Sequence, residues 1–587
     1  MMSADLTLAE VSLDDKYVLD KGRVYLTGIQ ALVRLPLMQQ ARDRASGLNT
    51  GGFISGYRGS PLGGYDTALH GARAFLEQHN IRFLPGLNED MAATSLWGSQ
   101  QVGLFDGATV DGVFGIWYGK GPGVDRCGDV FKHANAAGTS RHGGVLAIMG
   151  DDHGANSSTL AHQSEQVMAA AMMPILNPAT LQDYLDFGLL GFALSRYSGC
   201  WVGFKAVGQT VETSGSVAVD SARPDIVLPA DFIMPEGGLN IRRPDPPLEQ
   251  EKRLHGARMA AVAAFARANA LDRVVIEPPA PLLGIAAAGK SFLDVQEALD
   301  ELGLSDADVA ALGIRLYKIG LTWPLEGQGA RRFASGLTEL LVVEEKRGFI
   351  EDQFAKVLFN LADRPRLIGK QDEDGNALLP SEGEQSPILI ARVIAERLLR
   401  LGVGMPALEQ RVARLRELEA RAATLPPLLT RGAYFCSGCP HNTSTNVPDG
   451  SRALAGIGCH SLTIFMPERR THLWSHMGGE GAAWIGQAPF TSEPHVFQNI
   501  GDGTYSHSGL LAIRAAAASG VNITYKILFN DAVAMTGGQR VEGGLTVPQI
   551  TRQVAAEGAR KIVVVSDEPD KYPPDAGFPP GTVFRHR

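Results

Sequence analysis

The chain has 587 residues, enough for about three or four domains. Hydrophobic residues at 44% and charged residues at 20% are typical of a globular enzyme, and a formal net charge of −9 argues against non-specific binding of nucleic acid. No apolar run reaches the roughly 18 residues that a membrane span needs, so no membrane partner is expected. The acidic N-terminus does not resemble a secretory signal, and five cysteines in so long a chain form no disulfide framework, so we expect a reducing, cytoplasmic setting.

Strand-like and helix-like segments alternate along the chain, beginning with a first domain at residues 20–235. GGFISGY and VDGVFGIWYG have the apolar content of buried strands, and YDTALHGARAFLEQHN has the pattern of a helix. A polar, proline-rich stretch then predicts a linker and a helix at 236–270, followed by a second α/β unit at 271–400. A third unit, at 427–587, again alternates strands with helices. This alternation predicts an α/β fold with three doubly wound parallel-sheet domains.

The third unit contains Gly501-Asp502-Gly503 at the end of the strand-like VFQNI, and Asn530 comes after 26 intervening residues at the end of a second strand. Mg²⁺ is usually held by one or two protein oxygen ligands together with phosphate oxygens. Asp502 can supply a carboxylate, Asn530 an amide oxygen and Ala532 a backbone carbonyl. Glycines let the main chain approach phosphates closely, and a helix N-terminus favours the anion. This spacing predicts a site for Mg²⁺ and the diphosphate of thiamine diphosphate.

Gly-Asp-Gly alone is also a common turn, so the interpretation depends on the residues downstream of it. The distance to Asn530 and the TGGQ segment behind it favour a binding site over a mere turn. The residues of the third unit that we expect to bind the cofactor are Gly501, Asp502, Gly503, Asn530, Ala532, Thr536, Gly537 and Gly538.

Two motifs of the first domain could complete such a site. One is the glycine-rich turn GYRGSPLGGYD at residues 56–66, and the other is LNEDMAATSLWGSQQ, in which Glu89 opens an apolar helix. Thiamine diphosphate needs a carboxyl group that shares a proton with its aminopyrimidine ring, and a glutamate with a raised pKa in a largely apolar pocket suits that role. The alternative is that Glu89 only complements the helix dipole.

The cysteines form a second candidate centre. Cys436 and Cys439 have CxxC spacing, and Cys459 lies twenty residues further along the chain. Thiolates with this spacing can bind an iron–sulfur cluster or zinc, and the alternatives are a zinc knuckle or unrelated buried thiols. We expect Cys127 and Cys200, in the first domain, to be plain core thiols.

Taken together, these motifs resemble those of the 2-oxoacid:ferredoxin oxidoreductases, and within them the indolepyruvate ferredoxin oxidoreductases. The resemblance covers almost the whole chain and rests on motifs in the family's order, namely GYRGSP, NED, GDDHGANSSTLAHQSE, YFCSGCPHN, IGCHSL, GDG and NDAVAMTGGQ. It implies thiamine-diphosphate-binding domains of the transketolase-like type. Residues 20–235 would then bind the pyrimidine, 271–400 would match the transketolase C-terminal-like domain, and 427–587 would bind the diphosphate and Mg²⁺.

The resemblance also implies roles for individual residues. Glu89 would be the aminopyrimidine partner, Asp502 and Asn530 would hold Mg²⁺, and Ser60 would place a hydroxyl near the substrate carboxylate. Lys120 and His153 are looser candidates around the substrate, and each could instead be an ordinary surface or structural residue. Similar cysteines in the family hold a [4Fe–4S] cluster, so the resemblance assigns that role to Cys436, Cys439 and Cys459.

The family's fourth cysteine ligand lies downstream of the Mg²⁺ motif, but here no cysteine comes after Cys459. After the strand-like KIVVVSD comes a proline-rich loop, so we expect this chain to be the front part of a longer polypeptide. His441, His460 or a partner subunit could supply the ligand instead. No run of four closely spaced cysteines is present, so we do not expect the ferredoxin-like module of the archaeal α subunits here. The sequence therefore does not indicate how electrons leave the cluster.

The predicted function is oxidative decarboxylation of a 2-oxoacid, namely indolepyruvate or another arylpyruvate. Coenzyme A would take the acyl group, and electrons would pass through the cluster to ferredoxin. Because pyrimidine and diphosphate domains often come from different protomers, we expect a homodimer. The main alternative is a non-oxidative thiamine diphosphate decarboxylase or carboligase without a cluster, and a third possibility is a non-catalytic subunit that keeps the fold.

Overall fold

The computed structural model describes residues 11–220, 222–404, 406–426 and 431–587. The chain divides into two compact units, an N-terminal unit that ends at Leu425 and a C-terminal unit that begins at Pro426. Within the described ranges, no helix combines the length and apolar character needed to cross a membrane.

The N-terminal unit contains two sheets with helices between their strands, and a two-stranded ribbon in which β1 pairs with β8. Its strands are β1 (Lys21–Thr27), β2 (Thr50–Gly56), β3 (Ile81–Phe83), β4 (Gly112–Lys120), β5 (Val145–Asp151), β6 (Ile175–Leu176), β7 (Val202–Val207), β8 (Ser214–Asp220), β9 (Arg273–Ile276), β10 (Leu283–Ala288), β11 (Ile314–Ile319), β12 (Leu321–Trp323), β13 (Glu339–Val343) and β14 (Arg366–Ile368). Its α-helices are α1 (Asp15–Val18), α2 (Gly28–Ala45), α3 (Gly63–Gly71), α4 (Arg73–Gln78), α5 (Glu89–Ser99), α6 (Gly121–Arg126), α7 (Gly128–Ala137), α8 (Glu165–Ala170), α9 (Leu181–Ser198), α10 (Gly208–Val211), α11 (Pro247–Arg253), α12 (Met259–Ala268), α13 (Gly289–Glu301), α14 (Asp306–Ala311), α15 (Gly327–Ala334), α16 (Ile350–Leu358), α17 (Pro387–Arg400) and α18 (Pro406–Thr424).

The first sheet has seven strands in the order β12-β6-β7-β5-β4-β2-β3 and is parallel except for β12. Successive side chains of a strand point to opposite faces. Accordingly, Ile116 and Ile148 pack into a core with α2 and α9, whereas Trp117 and Met149 pack into a second core with α5 and α7. This sheet is therefore covered by helices on both faces.

The second sheet has the order β14-β13-β10-β11-β9 and is parallel except for β9. Ile285 and Leu341 pack against α13 and α17, and Ala286 and Val342 pack against α15 and α16. Before this sheet, the helical stretch formed by α11 and α12 carries the fully buried Arg258 between its two parts. The Arg258 guanidinium donates to backbone carbonyls at the C-terminus of α7 and so ties this stretch to the first sheet's helices.

The C-terminal unit is built on a four-stranded parallel sheet in the order β16-β15-β17-β18. Its strands are β15 (Ala453–Ala455), β16 (Thr471–Trp474), β17 (Val496–Gly501), β18 (Ile523–Leu528), β19 (Ala532–Val533), β20 (Gln539–Arg540), β21 (Val563–Ser566) and β22 (Val583–His586), and its α-helices are α19 (His441–Ser444), α20 (Ala482–Gln487), α21 (Asp502–Thr504), α22 (Leu510–Ser519) and α23 (Val547–Ala556). Ile500 packs with α22 and α23 on one face, and on the other face Lys526 of β18 donates to the carbonyl of Ser444 in α19. The predicted α/β class with parallel sheets is confirmed.

Candidate functional site

Asp502 and Asn530 lie side by side at the carboxyl edge of the C-terminal sheet. They come directly after β17 and β18, which pair in parallel, so both strands end at the same edge. Asp502 Oδ2 accepts the backbone N–H groups of Asn530 at 2.9 Å and Asp531 at 2.6 Å. Burial raises the pKa of Asp502, and the surrounding backbone amides oppose that shift. The structure thus brings the Asp502 carboxylate against the backbone of Asn530, the residue that the sequence spacing pairs with it.

The segment after Asn530 folds over the same edge. The Ala532 N–H donates to Asn530 Oδ1 at 3.2 Å, which orients the amide. Thr536 Oγ1 donates to Gln539 Oε1 at 2.9 Å across a turn in which Gly537 and Gly538 have φ values of +130° and +76°. These positive φ values favour glycine, because a Cβ is strained there.

One carboxylate and one amide oxygen are a donor set that suits Mg²⁺ bound mainly by phosphate and water. In the ranges that the structure covers, no group of three or more His, Cys, Asp or Glu side chains is arranged to hold a metal ion. A metal at this edge therefore needs the oxygens of a bound diphosphate, and the residues present fit that group.

The three predicted cluster cysteines, Cys436, Cys439 and Cys459, all belong to the C-terminal unit, but among the described residues they are not arranged as a group that could hold a metal ion. Burial raises the pKa of Cys459, and the neighbouring thiols Cys439 and Cys436 add to the increase. The rings of His441 and His460 are 6.3 Å apart, and burial lowers the pKa of His460 to about 3. The two remaining cysteines, Cys127 and Cys200, are fully buried in the apolar cores of the N-terminal unit, as expected.

In the N-terminal unit, Ser60, Glu89 and Lys120 lie at one edge of the first sheet. Ser60 is in the loop after β2, Glu89 begins α5 after β3, and Lys120 is the last residue of β4; these strands run parallel and so end together. A Cβ placed on Gly59 would lie 3.1 Å from Lys120 Cβ, so the loop of Ser60 contacts Lys120 directly. The Lys120 ammonium donates to the Ser157 carbonyl at 2.6 Å, and burial lowers the pKa of this lysine.

Glu89 is the first residue of α5 and is buried. Asn88 caps this helix by accepting the Met91 N–H at 3.0 Å, and the Trp117 indole donates to the Glu89 carbonyl at 3.0 Å. A Cβ placed on Gly123 would lie 2.6 Å from Glu89 Cγ and 2.8 Å from Oε1. The glycine at position 123 therefore makes the space that the Glu89 side chain occupies.

His153 lies in a different environment from Ser60 and Lys120. It lines a polar cavity of about 30 Å³ between the first and second sheets of the N-terminal unit, together with Glu165, Lys205, Lys290 and Glu345. Burial, reinforced by nearby lysines, lowers the pKa of His153 to about 2, so the imidazole is neutral. Lys205 pairs with Glu165, and Lys290 pairs with Glu345 at 2.9 Å.

Glu480 is a buried group that sequence reasoning missed. It lies after β16 in the run Gly-Gly-Glu-Gly, its side chain is fully buried, and burial raises its pKa to about 7. Its Oε2 accepts the Gly478 N–H at 2.7 Å. The available signal was a lone acid among glycines shortly after a strand, a position from which a side chain can reach the carboxyl edge of a parallel sheet.

Comparisons with known proteins agree with this geometry. Residues 273–423 match the model described as "Indolepyruvate oxidoreductase domain", and residues 456–566 match "Thiamine pyrophosphate enzyme, C-terminal TPP binding domain". The chain is 26% identical to the indolepyruvate oxidoreductase subunit IorA of Methanothermobacter marburgensis, over 90% of this chain and 78% of the relative. It is 24% identical to the subunit of the same name from Methanothermobacter thermautotrophicus, over 93% of this chain and 82% of the relative.

Two solved structures align more weakly. A 2-oxoglutarate:ferredoxin oxidoreductase from Magnetococcus marinus aligns with a TM-score of 0.46 and 13% identity, over 64% of this chain and 66% of that one. An inactive split-gene transketolase tetramer aligns with a TM-score of 0.38 and 10% identity, over 64% of this chain and 98% of that one. Scores this low do not establish a shared fold.

The matched thiamine diphosphate domain and the oxidoreductase relatives support one class of protein, the thiamine-diphosphate-dependent 2-oxoacid oxidoreductases. Among 2-oxoacid oxidoreductases, the relatives and the matched domain are both described as indolepyruvate oxidoreductases, so the chain is similar to that branch over most of its length.

Proposed function

We propose that the protein oxidatively decarboxylates indolepyruvate or another arylpyruvate to an acyl-CoA and passes the electrons through a [4Fe–4S] cluster to ferredoxin. The observation that carries this proposal is the convergence of Asp502 and Asn530 at one sheet edge, inside the region that matches a thiamine diphosphate domain. The preference for an aryl substrate is supported by the names of the relatives, which are indolepyruvate oxidoreductase subunits.

The C-terminal edge would hold the cofactor's diphosphate through Mg²⁺. Asp502, the Asn530 amide and the Ala532 carbonyl would be its protein ligands, and the buried carboxylate attracts the ion into a site of low dielectric constant. Gly501, Gly503 and the turn at Thr536, Gly537 and Gly538 would place backbone groups against the phosphates. When bound, thiamine diphosphate supplies an electron sink for the carbon–carbon bond that breaks.

The N-terminal edge would act on the other end of the cofactor and on the substrate. Glu89, buried at the start of α5, would share a proton with the aminopyrimidine ring. Ser60, whose loop contacts Lys120, would bind the substrate carboxylate together with that lysine, while His153 would act through its neutral ring. We propose a homodimer, because pyrimidine and diphosphate domains often come from different protomers.

Cys436, Cys439 and Cys459 would supply three thiolate ligands of the cluster. The described part of the C-terminal unit contains no fourth cysteine. His441, His460 or a partner subunit would therefore supply the remaining ligand. A reducing, cytoplasmic setting would keep these thiols free.

The test combines purified protein, Mg²⁺, thiamine diphosphate, an arylpyruvate, coenzyme A and a one-electron dye. We expect dye reduction that depends on both the arylpyruvate and coenzyme A. A preparation shown to contain the cofactor and an intact cluster, yet unable to reduce the dye, would contradict the redox assignment. Asp502→Ala in parallel shows whether any activity seen depends on the proposed site.

A non-oxidative decarboxylase or carboligase is the second candidate, and the observation that favours it is the incomplete set of cysteines in the C-terminal unit. Anaerobically purified protein separates the two. A broad absorption band near roughly 400 nm that bleaches on reduction supports the cluster. A colourless protein that binds thiamine diphosphate and releases CO₂ without an electron acceptor supports the non-oxidative enzyme.

A further inference from the structure

Glu480 combines complete burial with an unfinished set of hydrogen bonds. Oε2 accepts the Gly478 N–H at 2.7 Å, and the Ile457 N–H also stabilises the carboxylate, whereas the buried Oε1 has no hydrogen bond of normal geometry in the part of the C-terminal unit that the structure describes. Buried polar atoms without partners are rare and costly, so each one in a folded protein needs a reason.

The Glu480 side chain contacts the segment that comes after β15. A Cβ placed on Gly456 would lie 2.5 Å from Glu480 Cγ and 2.9 Å from Oε1, so the carboxyl group packs directly on this backbone. One residue further on, the Ile457 carbonyl accepts the Thr504 hydroxyl at 3.1 Å. Thr504 is the last residue of α21, which begins at Asp502.

Two further contacts join the segment that carries Glu480 to the segment after β17 and to β18. Gly478 lies against Ser508, since a Cβ placed there would be 2.4 Å from Ser508 Oγ. The Tyr525 hydroxyl donates to the Glu480 backbone carbonyl at 2.9 Å. Glu480 therefore stands where the segments after three neighbouring strands, β15, β16 and β17, meet.

We propose that Glu480 is a positioning residue that fixes the segment Gly456–Cys459 relative to α21. The inference rests on the proposed function, in which that segment leads to the cluster ligand Cys459 and α21 begins with the Mg²⁺ ligand Asp502. The side chain fills the space beside Gly456 and accepts the Gly478 N–H, so the carboxyl edge keeps one arrangement before any cofactor binds. Such pre-organisation strengthens binding because less ordering is needed when the ligand arrives.

Three substitutions separate positioning from simple loss of charge. Glu480→Ala removes both the filling and the acceptor, and we expect Mg²⁺-dependent binding of thiamine diphosphate to weaken about tenfold or more. Glu480→Asp keeps the charge but is one methylene shorter, so it should weaken binding similarly. Glu480→Gln keeps the length and an acceptor oxygen, and should bind within about threefold of the unchanged protein.

The measurement is calorimetric titration of the full chain with thiamine diphosphate in excess Mg²⁺, alongside circular dichroism and thermal melting. Glu493→Gln is the control, because Glu493 belongs to the same unit but pairs with Arg452 rather than with the residues around Glu480. Weak binding by the Ala and Asp variants with rescue by Gln supports the inference. Binding by a folded Glu480→Ala or Glu480→Asp variant at the unchanged level overturns it.

Two outcomes need separate interpretation. If Glu480→Ala does not fold, the comparison of Glu480→Asp with Glu480→Gln decides, since equal binding by these two contradicts positioning by length and contact. If the unchanged protein binds no thiamine diphosphate in Mg²⁺, the proposed function fails and this inference fails with it. If only the positioning role of Glu480 is wrong, the unchanged protein and every Glu480 variant bind thiamine diphosphate equally well.

Discussion

The two candidate edges differ in how completely their own chain encloses them. In the N-terminal unit, β2 is buried at six of its seven positions, whereas β18 of the C-terminal unit has no fully buried position. Glu89 is thus set by packing that the chain supplies itself, while Asn530 sits at the end of a strand that is half exposed. The difference indicates that the N-terminal edge is pre-formed by packing on both sides, whereas the C-terminal edge is held mainly at β15 and β17 and is more open at β18.

The largest expected effect tests the pre-formed edge. Glu89→Ala should lower kcat about a thousandfold, because the proposed proton partner of the aminopyrimidine is lost, while affinity for thiamine diphosphate changes less than about threefold. Arylpyruvate-dependent dye reduction and calorimetric titration measure the two quantities. Asp90→Asn is the control, since Asp90 is adjacent, is half exposed and pairs with Arg126 at 3.2 Å. Unchanged kcat in Glu89→Ala would remove Glu89 from the mechanism.

The next effect concerns the more open C-terminal edge. Asp502→Ala should weaken Mg²⁺-dependent binding of thiamine diphosphate about a hundredfold, because a charged metal ligand is removed. Titration of both proteins in Mg²⁺ and in EDTA gives the comparison. Asp449→Ala is the matched control, since Asp449 is a fully exposed acid of the same unit. If Asp502→Ala binds as the unchanged protein does, Asp502 does not hold the ion.

A smaller effect sharpens the account of the N-terminal edge. Gly123→Ala would place a Cβ 2.6 Å from Glu89 Cγ, so the carboxyl group must shift and we expect kcat to fall about tenfold. Gly128→Ala is the control, because a Cβ there meets no atom within 4 Å. Equal kcat values for the two variants would show that Glu89 tolerates displacement.

The smallest effect is thermal. Thiamine diphosphate and Mg²⁺ at about a hundred times the dissociation constant should stabilise the binding unit by about 2.7 kcal/mol, which raises its melting temperature by several degrees. Scanning calorimetry should assign this increase to the C-terminal unit. An increase in melting temperature confined to the N-terminal unit would contradict the assignment of diphosphate binding to the C-terminal edge.

Most of the fold and part of the site could be predicted from local sequence patterns. The pairing of Asp502 with Asn530 could be predicted because consecutive parallel strands of one sheet end at the same edge, so sequence spacing translates into proximity. Glu480 could not be predicted in this way. Its burial depends on Gly456 and on Ser508, which come from other strands' ends, and Gly-Gly-Glu-Gly alone is typical of a solvated turn.

His153 shows a second limit of sequence reasoning. Its motif places it after a strand of the first sheet, but its low pKa depends first on burial, to which Lys205 of the first sheet adds and then Lys346, Lys290 and Lys370, which the second sheet brings close. The packing of one sheet against another is a tertiary event that no local pattern encodes. The roles of Ser60, Lys120 and His153 toward the substrate therefore stay predictions.

The central claim is that Asp502 and Asn530 act on the same ion, and a double-mutant cycle tests it directly. Mg²⁺-dependent affinity for thiamine diphosphate is measured for Asp502→Ala, Asn530→Ala and the double variant. If both side chains hold one ion, losing the second after the first should cost much less than losing it alone, so the two effects fall well short of additive. Additive effects, or unchanged affinity in both single variants, would contradict the shared site.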